Sequence, residues 1–259
     1  MTTLSIATWN VNSLRVRLPQ LAEWLSATKP DIVALQETKS TDADFPAAEI
    51  SALGYEFARS GQRTYNGVAV LSRQPITVLA TDIPGFTDEQ RRVLAVETAG
   101  VVVLDLYVPN GQEPGSEKYA YKLRWLEALE QWLRDSLLKH RKVIVLGDFN
   151  IAPEDRDVHD PQAWQGSVHV SPPERAAYRK LLDSGLVDVF RRFEQPEKSF
   201  SWWDYRAAAF RRNAGLRIDL ILATASLAER CVGCRIDREP RRAERPSDHT
   251  PVIAEFEVD

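Results

Sequence analysis

Cysteine is nearly absent from this chain: Cys231 and Cys234 are the only two in 259 residues, so disulfides cannot frame the fold. The pair forms a lone C-x-x-C without a second pair or neighbouring histidines. Zinc or redox chemistry is therefore poorly supported, and small, partly buried apolar side chains are the simpler expectation. No apolar run reaches the ~18 residues that a membrane span requires. Met1 to Asn12 enters a strand pattern directly, with no secretory leader, so a cytoplasmic protein without membrane contact is expected. No Gly/Ser-rich or Pro-rich linker and no fixed-period repeat divides the sequence, and residues 1–259 read as a single domain. A large excess of one charge is missing too. Thirty-three Lys and Arg face thirty-seven Asp and Glu, a net of −4, which argues against a general polyanion-coating protein. Nucleic acid stays open because Arg is locally concentrated at Arg211-Arg212, Arg217, Arg238, Arg241-Arg242 and Arg245.

What the chain does contain is a succession of apolar, strand-like runs: Leu4 to Val11, Asp31 to Glu37, Gly67 to Ser72, Val93 to Thr98, Val101 to Val108, Lys142 to Asn150, Phe200 to Tyr205, Arg217 to Ala223 and Thr250 to Val258. Several show little alternation, which predicts strands covered on both faces and sheets lying inside layers of helices. Helical patterns fall at Leu18 to Thr28, near Pro46 to Leu53, across Ser116 to His140 and over Pro172 to Ser184. The third presents Leu126, Leu129, Leu133 and Leu137 on one face. The fourth opens with Ser171, Pro172 and Glu174, a capping-box signature. Asn66-Gly67 marks a tight turn. The long polar segment Ile151 to Val170 is of the kind that carries function.

Polar residues gather where strands end. Asn10 and Asn12 follow the first run, Gln36 and Glu37 the second, Tyr107 and Asn110 the fifth, and Asp148 and Asn150 the sixth. Asp219 interrupts a later run, and Asp248-His249 precedes the last. Unpaired polar groups cost about 1–3 kcal/mol when buried, so their repetition predicts a shared ligand-binding rim. Amides, carboxylates, a Tyr hydroxyl and one His suit a phosphate ester beside a hard divalent cation such as Mg²⁺. No Ser stands in the G-x-S-x-G context of a serine hydrolase.

W-N-V-N-S-L-R (Trp9 to Arg15), L-Q-E-T-K (Leu35 to Lys39), Y-V-P-N-G (Tyr107 to Gly111), L-G-D-F-N (Leu146 to Asn150), S-W-W-D-Y-R (Ser201 to Arg206), G-L-R-I-D (Gly215 to Asp219) and P-S-D-H-T-P-V (Pro246 to Val252) resemble, in order, the motifs of the exonuclease III family of DNA-repair nucleases. The resemblance implies a four-layered α/β sandwich, two central mixed β-sheets flanked by helices, with a metal-dependent site at the rim. It also implies action on double-stranded DNA with abasic sites, nicks or blocked 3′ ends, as AP endonuclease, 3′-phosphatase and 3′-to-5′ exonuclease, and a monomeric enzyme.

The site residues follow from the same resemblance. Glu37, Asn12 and Asp248 would hold Mg²⁺, with Mn²⁺ as a substitute. Asp148 would orient or deprotonate water, with Asn10 and Asn150 holding the water or the phosphate. Tyr107 and Asn110 would bind phosphate oxygens, and His249, oriented by Asp219, would contact the scissile phosphate. Trp202, Leu216 and Ile218 would form an apolar pocket for an extrahelical sugar or terminal nucleotide, while one of Trp202 and Trp203 faces the core. Arg63, Arg91, Arg92, Arg206 and Arg211 would touch the DNA backbone. One residue departs from the pattern: His169 stands where family members efficient at abasic sites have a small residue. A bulky imidazole there would hinder a continuous or bent duplex while admitting a 3′ end, weakening abasic-site incision; a surface histidine is the plainer alternative. Two other classes compete, a catalytically silent regulator of the same fold and a phosphoinositide or sphingomyelin phosphoesterase. Retention of the rim residues disfavours the first, and the Trp202 pocket and Arg clusters disfavour the second.

Overall fold

The unbroken apolar runs become the middle strands of two sheets in the computed structural model, which describes residues 2–258. The first sheet contains β1 (Thr2–Asn10), β2 (Ile32–Gln36), β3 (Glu56–Ser60), β4 (Val68–Ser72), β11 (Cys231–Ile236) and β12 (Val252–Val258), in the order β11-β12-β1-β2-β4-β3. The second contains β5 (Thr77–Ala80), β6 (Val93–Thr98), β7 (Val101–Tyr107), β8 (Val143–Asp148), β9 (Leu186–Asp188) and β10 (Asp219–Thr224), in the order β5-β6-β7-β8-β10-β9. Each sheet mixes one parallel pair, β1 with β2 or β7 with β8, with antiparallel neighbours.

Four layers result. Ile6, Ile32 and Val70 of one sheet meet Val96, Val103, Leu146 and Ile221 of the other. The outer face of the first sheet is covered by α1 (Leu14–Thr28) and α2 (Ala47–Ala52), whose Leu14, Leu21, Trp24 and Ile50 pack with Trp9, Val33 and Leu71. The outer face of the second is covered by α3 (Glu117–Asp135) and, beyond the short α4 (Pro161–Trp164), α5 (Pro172–Asp183). Trp125, Leu129, Leu133 and Leu181 there pack with Leu104, Val145 and Leu222. Central strands are thus buried on both sides, so Ile144 and Leu146 serve one layer while Val143 and Val145 serve another. Each such side chain contributes about 1.5–3 kcal/mol.

The sequence reading is corrected in places. Phe200 to Tyr205 is not a sheet strand; Trp202 makes only isolated bridges, to Leu216 and to His249, because its backbone pairs with neighbouring rim loops. Helix α1 begins at Leu14, where Leu14 N–H donates to the Thr38 carbonyl at 3.0 Å. The Ser116 to His140 pattern divides into α3 and a 3-10 turn at Leu137–Lys139. Ser171 and Glu174 do form the capping box. Cys231 and Cys234 are free and buried against the inter-sheet core.

Register sets the rim. Asn10 lies beside Gln36 across β1 and β2, Tyr107 beside Asp148 across β7 and β8, and Asp148 opposite Asp219 across β8 and β10. Tyr107, Asp148 and Asp219 of the second sheet therefore share one row, facing the end of β1.

Candidate active site

Asn10 joins the two sheets at this rim. Its Nδ2 donates both to Glu37 Oε1 and to Asp148 Oδ2, each at 2.9 Å, and its Oδ1 accepts from the Asn12 amide at 3.0 Å. Ser247 Oγ donates to the Asn10 carbonyl at 2.7 Å and ties the same residue to the loop that carries Asp248 and His249. Gly147, at φ +141°, lets β8 lie against β7 just before Asp148, since a Cβ there would lie 1.9 Å from the Leu106 carbonyl oxygen.

Asp148 is buried, with Oδ1 accepting from the Asn150 amide at 2.9 Å and Oδ2 from Asn150 Nδ2 at 3.3 Å. Burial pushes its pKa up to about 7, while the His249 charge opposes that rise. His249 Nδ1 donates to both Asp219 oxygens, at 3.1 and 2.9 Å, and its Nε2 lies 3.7 Å from Asp148 Oδ2. Burial alone would lower the imidazole pKa; the carboxylates of Asp219 and Asp148 outweigh it and raise the value to about 10. His249 is therefore an imidazolium at neutral pH. Asp219 is itself fixed by Ser201, whose Oγ accepts from the amides of Ile218 and Asp219 at 3.1 Å.

Ligand atoms of Glu37, Asp148 and His249 all lie within 4.8 Å of one another. The oxygens beside them fit a hard cation better than the protonated imidazole does. A cation from the chain itself already lies against them: Lys39 Nζ is 2.9 Å from Glu37 Oε2 and donates to Asn12 Oδ1 at 2.6 Å. Glu37 and Lys39 both adopt left-handed backbone, at φ 50° and 51°, which folds the ammonium back onto the carboxylate. Asn12 Nδ2 donates to Asp248 Oδ1 at 2.9 Å, bringing the third expected metal residue to the same place. Lys39 escaped the sequence reading because its alignment depends on those two strained dihedrals.

Tyr107, at the end of β7, is driven well above the ordinary phenol range by burial and by the neighbouring charges of Glu37 and Asp148. Asn110 Nδ2 reaches Asn150 Oδ1 at 3.4 Å, while Asn150 Nδ2 also donates to the Val108 carbonyl at 3.0 Å. Beside them, Trp202 is half-buried against Leu216, Ile218, Val158 and Val170, with its indole N–H on Asp248 Oδ2 at 3.0 Å. Trp203 is the core-facing member of the pair. Gly215 permits this packing, as a Cβ there would meet Trp203 Nε1 at 2.5 Å and the Trp202 carbonyl at 2.6 Å.

Other residues lie differently from expectation. Arg92 is buried: it donates to Gln90 and to the Tyr107 carbonyl, and its guanidinium covers the Tyr107 ring at 4.6 Å. It braces Tyr107 at the edge of the cavity lined by Gln90, Asn110 and Tyr121. Arg91 is half-buried and paired with Asp82, whereas Arg206, in a surface pair with Asp204, is exposed, as are Arg63 and Arg211. His169 does not project into a groove. It is 7% exposed, sits at φ 74°, and places Nδ1 2.7 Å from the Asn150 carbonyl and Nε2 3.5 Å from Asn110 Nδ2. Burial first, and then the Lys122 charge, push its pKa down to about 3, so the ring is neutral.

The sequence pattern of the endonuclease/exonuclease/phosphatase family matches residues 7–249. The chain belongs to that family. It is 36% identical to the exodeoxyribonuclease III of Haemophilus influenzae, over 98% of this chain and 100% of the relative. Among solved structures, the 3′ phosphatase NExo from Neisseria, bound to a product DNA hairpin, matches with a TM-score of 0.94 and 44% identity. An AP endonuclease from Archaeoglobus fulgidus matches with a TM-score of 0.95 and 42% identity. Both alignments cover 98% of this chain and 100% of the other. The chain is a nuclease of the exonuclease III type, and its two flanked six-stranded sheets are the family's α/β sandwich.

Proposed function

We propose that this nuclease is a Mg²⁺-dependent phosphodiesterase that processes 3′ ends of duplex DNA, as 3′-phosphatase and 3′-to-5′ exonuclease, and cuts abasic sites more slowly. The observation that carries the reading is the convergence of Glu37, Asp148 and His249, from distant parts of the chain, within 4.8 Å. Glu37, Asn12 and Asp248 would hold Mg²⁺ or Mn²⁺. The ion, when bound, supplies Lewis-acid neutralisation of phosphoryl charge.

The protein's own groups supply the rest. Asp148 accepts a proton from a water that Asn10 and Asn150 orient. The water oxygen attacks phosphorus in line as the bond to the leaving 3′ oxygen breaks, and solvent returns a proton to that oxygen. Tyr107 and Asn110 donate to non-bridging oxygens, and the His249 imidazolium, held by Asp219, neutralises charge that develops in the transition state. Trp202, backed by Leu216 and Ile218, holds the terminal nucleoside or abasic sugar. Arg63, Arg206 and Arg211 are the exposed candidates for backbone contact, giving salt-sensitive binding. The enzyme works on this reading as a monomeric, cytoplasmic, single-domain protein.

His169 supports the activity balance by a route other than projection into the groove. Its ring lies between Asn110 and Asn150, meeting the Asn110 carboxamide and the Asn150 main-chain carbonyl, and leaves less give for a sharply bent continuous strand, which a 3′ end does not require. The solved relatives span both activities, one being a 3′ phosphatase and another an AP endonuclease at nearly equal identity. Rates on a 3′-phosphate nick and on an abasic duplex, for wild type and His169→Gly, test it. Incision should rise relative to phosphate release in the variant; an unchanged ratio would remove His169 from the account.

A further inference from the structure

We infer that Lys122 is a positioning residue for the reaction, acting through the two loops that carry Asn110 and Asn150; this rests on the phosphodiesterase reading above. Lys122 projects from α3 and is completely buried. An ammonium has three N–H donors, and each has a partner. Nζ donates to the Asn110 carbonyl at 3.1 Å, the Asn150 carbonyl at 2.7 Å and Glu174 Oε1.

Two of the three acceptors are thus the main-chain oxygens of the residues proposed to hold phosphate and water. Those residues follow adjacent parallel strands, β7 and β8, which are joined at their ends by the Val108 amide on the Asp148 carbonyl at 2.9 Å and by Asn150 Nδ2 on the Val108 carbonyl at 3.0 Å; Lys122 extends that connection to the Asn110 and Asn150 carbonyls themselves. Asn150 is at φ 50°, a conformation that its own preferences do not guarantee. Lys122 fixes both carbonyls, so both carboxamides keep their direction into the site.

Glu174 completes the clamp from the other side. Its Oε1 also accepts from the His169 amide at 3.0 Å, and its Oε2 accepts from the Ser171 amide at 3.2 Å. Its carboxylate offsets the burial of the ammonium, which lowers the Lys122 pKa. A helix cap would need only a carboxylate and a serine. A fully buried lysine is more costly than capping requires, and the two loop carbonyls account for its presence. The sequence carries a signal as well: Lys122 shares its helical face with Trp125, Leu126 and Leu129, where a solvated lysine is out of place.

The test uses Lys122→Met combined with Glu174→Gln, so that no unpaired carboxylate remains buried, and compares single-turnover rate with DNA affinity on a 3′-phosphate hairpin. Folded fraction is measured by circular dichroism and active fraction by stoichiometric DNA binding. We expect the rate of the folded enzyme to fall on the order of 10- to 100-fold, the scale of a small misplacement of reacting groups, with the Kd for DNA changed by less than about threefold. In an Asn110→Ala/Asn150→Ala background the same double substitution should change the rate by less than about twofold, because nothing remains for the clamp to position. Wild-type rate in folded Lys122→Met/Glu174→Gln, or an undiminished further loss in the alanine background, would overturn the inference. Should that protein not fold, Glu174→Gln alone, which weakens the clamp without removing the ammonium, is expected to show a smaller loss in the same two-background comparison. Additive loss there refutes the role. Failure of wild type to release phosphate from DNA would instead refute the underlying phosphodiesterase reading.

Discussion

Replacing Asp219 with Asn is the perturbation whose consequence is most sharply defined by the geometry. Asp219 is fully buried, keeps both oxygens within 3.1 Å of His249 Nδ1, and is itself anchored by Ser201. It is also the largest of the influences that raise the imidazole pKa to about 10, against a burial effect that lowers it. Asn is nearly the same size, so packing survives while the counter-charge disappears. The imidazolium is present below its pKa and lost above it. In wild type the His249 contribution should therefore hold through neutral pH and fade only toward pH 10; in Asp219→Asn that alkaline loss should move down into or below the neutral range. Removing a buried charge-assisted contact to a group that stabilises the transition state costs about 2–4 kcal/mol, or roughly 30- to 1000-fold in rate at neutral pH. Part of the loss should return on acidification, to the extent that Asp148 remains ionised. Single-turnover release of phosphate from a 3′-phosphate hairpin, followed from pH 5 to 10 with folding checked by circular dichroism, gives the profile. An alkaline limb unmoved between wild type and variant would show that Asp219 does not maintain the charge on His249.

Further expectations concern separate parts of the molecule. Asp148→Asn and His249→Asn should each remove about 2–4 kcal/mol of transition-state stabilisation, read as single-turnover rates; near-normal turnover in either would remove that residue from the chemistry. Asp105, buried between the sheets with its Oδ1 on Gln36 Nε2 at 2.7 Å, is raised well above the ordinary carboxylate range by burial. Its folded pKa exceeds the unfolded one, so wild-type stability is fullest below the usual carboxylate pKa and declines as pH rises through the folded value. Asp105→Asn abolishes that decline and offers a donor to the orphaned Gln36 Oε1. Thermal melts should favour the variant by about 1 kcal/mol, some 2–4 °C, at pH 8 but not at pH 4; parallel pH profiles would contradict this. Arg63→Ala and Arg211→Ala should each weaken DNA binding and flatten its salt dependence, as measured by fluorescence anisotropy from low to moderate salt.

The sequence was most readable where a single physical demand dominated. Unbroken apolar runs such as Val143 to Leu146 are needed for strands buried on both faces, and the polar residues at their ends mark the rim that the registers of Asn10, Tyr107, Asp148 and Asp219 align. Short peripheral strands were missed because they lack that demand: β5 is largely exposed, β9 has three residues, and β11 is interrupted by a bulge between Cys231 and Gly233. Phe200 to Tyr205 misled in the opposite direction, since its aromatics serve a pocket wall and a core rather than a sheet. The arginines were the least legible. Arg92 and Arg63 look alike in sequence, yet one is stacked over the Tyr107 ring and the other faces solvent. Charge type was visible in the sequence; the tertiary partners that consume the charge were not.

On the proposed mechanism, one pocket assembled from distant segments around Glu37, Asp148 and His249 hydrolyses DNA phosphoesters with a divalent cation. The most direct measurement is phosphate release from a 3′-phosphate DNA hairpin by chelator-stripped protein titrated with Mg²⁺, beside Glu37→Gln. Wild type should be inactive when stripped and recover saturably with Mg²⁺, and Glu37→Gln should require far more of the ion. Full activity after stripping, or an unaltered Mg²⁺ requirement in Glu37→Gln, would contradict the account.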